Sequence, residues 1–170
     1  MIRRGQQLLR PARTFYVYLT LLLALVCNML PGVFGLSRTP WWPDVLALVL
    51  VYWSIHRPRH FGLFVAFFFG LLMDVHQSAL LGQSALVYTV MCYVAINIHR
   101  RVLWFSLQKQ SLQLLPLFAG AILIEISIRA ISGVALPNLS LLLAPVIEAL
   151  LWPVLSLLIL RGQRWHDRRP

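Results

Sequence analysis

The feature that most constrains this chain is a succession of long apolar runs bordered by arginine. FYVYLTLLLALVCNML follows Arg13, VLALVLVYWSI leads to Arg57, FGLFVAFFFGLLM follows Arg59, and LLPLFAGAILI and LSLLLAPVIEALLWPVLSLLIL run toward Arg129 and Arg161. A helix needs about 20 apolar residues to cross about 30 Å of hydrocarbon, and several such helices fit here. The chain is 59% hydrophobic and only 12% charged, where soluble domains carry about 25% charged residues. The expected fold is therefore an all-α integral membrane protein, six transmembrane helices in one bundle. It is bounded by a basic amino-terminal segment, residues 1–13, and a basic tail, residues 161–170; the helices occupy residues 14–160.

The net charge of +10 does not point to nucleic acid. The cations sit in short clusters at the ends of apolar runs, not along one face interleaved with aromatics. That placement is how membrane proteins set their orientation. With both termini cytoplasmic, thirteen of the fifteen Lys and Arg fall on the inner side and only Arg38 and Arg129 toward the outside. An odd number of crossings would put one terminal cluster on the wrong side. The basic start followed by an apolar run has the order of a secretory signal, but no A-x-A-like site follows and the run is long enough to span. Cys27 and Cys92 lie inside apolar runs without metal-ligand spacing and read as small buried hydrophobes, so no metal or cofactor is expected.

Taken in order, the first helix is expected over 15–33. The second, 41–55, is about 22 Å long, short for a full span, which requires a squeezed helix or a thinned bilayer. Trp41 and Trp42 at one end and Tyr52 and Trp53 at the other fit interfacial belts. The third helix, 61–74, carries Gly62, Ala66 and Gly70 at four-residue steps, a small-residue face for close helix packing or for a partner. A polar hinge with Asp74, His76, Gln77 and Gly82 precedes the fourth helix, 80–98. Residues 99–113 alternate basic or amide side chains with Val102, Leu103, Trp104, Phe105 and Leu107, the pattern of a short interfacial helix near residues 100–112 that lies on the cytoplasmic headgroups or, alternatively, docks a cytoplasmic partner. The fifth helix, 114–131, holds Glu125 and Arg129 four apart, acid first, the favourable order for an ion pair. The sixth, 139–160, holds Glu148 between Pro145 and Pro153, both expected to kink it.

Carboxylates inside apolar sequence are costly and are turned inward or put at an interface. Depth along the helices gathers Asp74, Glu125, Arg129 and Glu148 in the outer half. They are expected either to converge on a polar groove, with Arg129 the counter-ion of Glu125 and a candidate counter-ion of Glu148, or to act separately as interhelical fasteners. No HExxH, P-loop or GxSxG motif is present, and no enzyme is expected.

Several blocks carry a family resemblance. P-W-x-P-D-x-L-x-L-x-L-x-Y-W from Pro40 to Trp53 is followed by Arg57-Pro58. Then come G-x-x-x-A-F-x-x-G-L-L-x-D from Gly62 to Asp74, L-G-x-x-A-L-x-Y from Leu81 to Tyr88, and L-W-P from Leu151 to Pro153. In this order and spacing they resemble the bacterial rod shape-determining MreD family. The resemblance implies a multi-pass protein of the cell inner membrane, part of the machinery that builds the lateral wall. Its implied partners are MreC directly and, through the complex, MreB, RodA and a penicillin-binding transpeptidase. The family carries no established catalytic residues. Asp74, Gly70, Gly82, Trp152 and Pro153 match its pattern and are expected to be structural or interface residues. The resulting expectation is a non-catalytic scaffold that binds MreC and helps organise peptidoglycan synthesis. The alternative is a transport-class protein whose outer groove binds a small molecule or a lipid-linked wall precursor; a fold-level likeness to the membrane subunits of vitamin transporters stands behind it.

Overall fold

The computed structural model describes residues 14–33, 43–58, 63–77, 80–133 and 139–166. They form α1 (Thr14–Val33), α2 (Val45–His56), α3 (Leu63–Gln77), α4 (Gln83–Leu103), α5 (Leu107–Ile131) and α6 (Ala144–His166), with a 3-10 turn, Leu139–Leu143, leading into α6. No strand occurs among the described residues, so the all-α class read from the sequence is the class found. By length and composition, Leu107–Ile131 and Leu141–Gln163 are long and apolar enough to cross a membrane. Shorter apolar helices run over Phe15–Leu30, Val45–His56 and Leu63–Gln77.

The architecture is built around α2. Its sequence is apolar on every side, and such a helix is stable only where neighbours cover every side. Here α1, α4 and α6 pack around it, and ten consecutive residues from Leu46 to Ile55 are buried. This corrects the interfacial role expected for Tyr52 and Trp53. The Trp53 indole N–H donates to Thr20 Oγ1 at 2.9 Å, and Tyr52 lies 6.2 Å, ring to ring, from Trp152. An aromatic at the end of an apolar run fits a headgroup belt and a protein interior equally well in sequence; neighbours decide between them. Trp41 and Trp42 lie outside the described residues. At 12 residues, α2 is about 18 Å long. Because protein surrounds it, its length need not match the thickness of a bilayer.

Against this centre, α3 packs mainly on α4, and α5 on α6 and α4. The α3–α4 approach depends on Gly70: a Cβ there would lie 2.3 Å from Ala85 Cα and 2.6 Å from Ala85 N. Ala66, one turn earlier, is fully buried. Gly62 lies outside the described residues. Gly82, just before α4, has φ +97°, a left-handed conformation that L side chains rarely adopt.

Three boundaries differ from the sequence reading. The interfacial helix expected near residues 100–112 does not exist as a separate element. α4 continues to Leu103, only Trp104 to Ser106 form a corner, and α5 begins at Leu107. The amphipathic pattern arises because one face of each helix end is covered by its neighbour, burying Val102 and Gln110. This early start places Pro116 inside α5, where a helix beginning at 114 would have had it harmlessly in the first turn. Conversely, Pro145 falls in the first turn of α6, where its missing N–H leaves no hydrogen bond unmade, so of the two expected kink sites only Pro153 is interior. α6 also runs on to His166, taking in residues 161–166 of the expected tail.

Candidate functional site

The polar side chains of the bundle gather chiefly at one end, where α1, α3 and α5 finish and α2, α4 and α6 begin. Asp44 is the hub of the first group. It occupies the position before α2, and its Oδ1 accepts the Ala47 N–H at 3.0 Å, capping one of the helix's orphan donors. The same oxygen accepts from Asn28 Nδ2 of α1 at 2.5 Å, and Oδ2 accepts the Tyr88 hydroxyl of α4. The Asp44 backbone N–H donates to Glu148 Oε1 of α6 at 3.2 Å, and Asn28 Oδ1 accepts the Val45 N–H at 3.3 Å. Four helices are thus tied at one residue. Asn28, Tyr88 and Glu148 are all buried, so each of these bonds replaces one that water would otherwise supply.

Asp74 organises the second group. Although it lies at the end of α3, its carboxylate caps α4: Oδ1 accepts the Ser84 N–H at 2.7 Å, and Oδ2 accepts those of Gly82 at 2.9 Å and Ala85 at 3.3 Å. Its side chain is 0% exposed. The positive end of the α4 dipole is the natural seat for a buried carboxylate. Beside Ser84, Gln83 Nε2 donates to Glu125 Oε1 of α5 at 3.3 Å, and the same oxygen receives Arg129 Nη2 at 2.6 Å. The Glu125–Arg129 pair is partly exposed.

Of the four charged residues read from the sequence, Asp74, Glu125 and Arg129 are linked through the first turn of α4. Glu148 belongs to the Asp44 group instead. The residues missed in the sequence are Asp44 and Asn28. Pro43-Asp44 immediately before an apolar run is a helix-start signal, so Asp44 was legible as a cap. Nothing in the sequence marks Asn28, a lone amide in an apolar run, as its partner. At the opposite end, fully buried Trp152 donates its indole N–H to Gln110 Oε1 at 3.3 Å. Gln110 Nε2 in turn donates to the Phe105 carbonyl at 3.0 Å, bracing the α4–α5 corner. Pro153 is half-buried beside it. Cys27 and Cys92 are both free thiols, and among the described residues no group of three His, Cys, Asp or Glu is placed to hold a metal.

Chemically, this arrangement fastens helix ends: carboxylates take backbone N–H groups across helix boundaries, with one ion pair at the rim. No curated protein and no solved structure matches the chain. The family model described as rod shape-determining protein MreD matches residues 10–161. With most of its length matched, from before α1 into α6, the chain belongs to the MreD family of rod shape-determining proteins, a membrane-associated family with a role in determining rod shape.

Proposed function

We propose that this protein is a non-catalytic, multi-pass scaffold of the inner membrane. In this reading it binds the transmembrane segment of MreC and helps hold MreB, RodA and a penicillin-binding transpeptidase in one wall-synthesis complex. The observation that carries the reading is the family match over residues 10–161. It is supported by how the acids are used: Asp44 and Asp74 cap helices, Glu148 holds the Asp44 backbone and Glu125 pairs with Arg129. Groups held this way fix geometry, which is what a scaffold requires. The Ala66–Gly70 face already packs within the chain, so the partner helix is assigned to the exposed apolar surface that remains.

The test is crosslinking to co-expressed MreC in membranes, from single cysteines at exposed positions Phe68 of α3, Leu123 of α5 and Leu158 of α6. Crosslinks confined to one face are expected; no crosslink from any face would refute direct MreC binding. The groove-binding alternative has one observation in its favour: Arg129 Nε is buried without a hydrogen-bonding partner among the described residues. Saturable ligand binding by the purified protein, lost on Glu125→Ala, would favour that alternative.

A further inference from the structure

The α4–α5 corner differs from every other described part of the surface. Arg100 and Arg101 close α4 and are exposed, Lys109 is exposed in the first turn of α5, and among the described residues no acid stands near them. The described acids, Asp44, Asp74, Glu125 and Glu148, are engaged at the opposite end of the bundle. Between the cations, Trp104 projects with 83% of its surface exposed, flanked by Leu103 and Phe105, also exposed. Arg100 and Trp104 are four residues apart, as are Arg101 and Phe105. In water the exposed indole leaves a large apolar surface uncovered; at a membrane–water boundary both tryptophan and the cations are at home.

The apolar surface does not stop at the corner. Leu112, exposed at 73%, follows Lys109 by three residues, and exposed Leu123 continues along α5, one of the two helices among the described residues that are long and apolar enough to span. Exposed cations, a tryptophan and an apolar strip are the groups that meet a phospholipid's phosphate, its interfacial region and its acyl chain. We propose that the α4–α5 corner is a binding site for anionic phospholipid, with Arg100, Arg101 and Lys109 holding the headgroup phosphate, Trp104 at the membrane–water boundary and Leu112 against the acyl chain. The proposal rests on the membrane-spanning reading of α5. It concerns a lipid and not a protein because the exposed corner leads into α5, where Leu112, Pro116 and Leu123 are exposed on one face.

The test compares the full chain in nanodiscs of phosphatidylcholine alone and of phosphatidylcholine with phosphatidylglycerol. Lipid preference is read as the shift in thermal midpoint and as lipids retained in native mass spectrometry. The variant replaces Arg100, Arg101 and Lys109 by Gln, and a charge-matched control replaces Arg161, Arg164 and Arg168 by Gln. The unaltered chain and the control are expected to prefer phosphatidylglycerol. The corner variant is expected to lose roughly fivefold in preference for each cation removed. Retained preference in the corner variant, or equal loss in the control, overturns the site in favour of diffuse surface attraction. Indifference of the unaltered chain to headgroup charge also overturns it and points to a protein at the corner. Failure of the chain to enter nanodiscs of either composition overturns the spanning reading, and the site with it.

Discussion

At the scale of single residues, stability turns on whether a buried polar atom has a partner. Asp74 is fully buried yet accepts three backbone N–H groups from α4. Tyr52 is equally buried, but its hydroxyl has no hydrogen-bonding partner among the described residues. The two therefore respond in opposite directions to loss of their polar atoms. Asp74→Ala strands several helix-start donors and is expected to destabilise by about 2 to 3 kcal/mol. Tyr52→Phe removes an orphaned hydroxyl while keeping the ring against Trp53 and Trp152, so stability is expected to hold or rise by up to about 1 kcal/mol. Thermal melts in detergent measure both. A fall in midpoint for Tyr52→Phe comparable to that for Asp74→Ala would show that the hydroxyl is satisfied by a bound water.

At the scale of elements, α3 crosses the start of α4 with the two backbones in close approach. Gly70 lets the two backbones approach, and any Cβ at that position meets the Ala85 backbone, which cannot yield as a flexible side chain can. Gly70→Val is expected to force the helices apart and to pull Asp74, one turn further along α3, away from the donors it caps. The loss should exceed that from overpacking alone, about 1 to 3 kcal/mol. It should appear as selective exposure of the α4 amino end in hydrogen exchange, with the α5–α6 pairing still protected; uniform loss of protection would count against this account. The small-residue spacing was readable in sequence as a packing face. Which helix it meets was not, because four-residue spacing describes only one of the two surfaces in contact.

At the scale of the whole molecule, charge and burial give the bundle two unlike ends. Asp44, Asp74, Glu125 and Glu148 gather where α2, α4 and α6 begin, while Arg57, Arg100, Arg101, Lys109 and Arg161 lie toward the other end. Under the proposed multi-pass reading, the positive-inside bias predicts that the α4–α5 corner faces the cytoplasm. Cysteines introduced at exposed Trp104 and Leu81 are expected to react from opposite sides of intact cells with a membrane-impermeant maleimide, the Leu81 position from outside; equal outside labelling would refute that orientation. The sequence by itself determined the helical class, the one-sided charge and the Glu125–Arg129 pair, because each follows from spacing along one strand of chain. Only the tertiary structure decided that α2 is the enclosed core, that Asp74 caps a neighbouring helix and that Glu148 joins Asp44 instead of Arg129. Those facts depend on which apolar faces meet, and runs that are apolar all round carry no record of their neighbours.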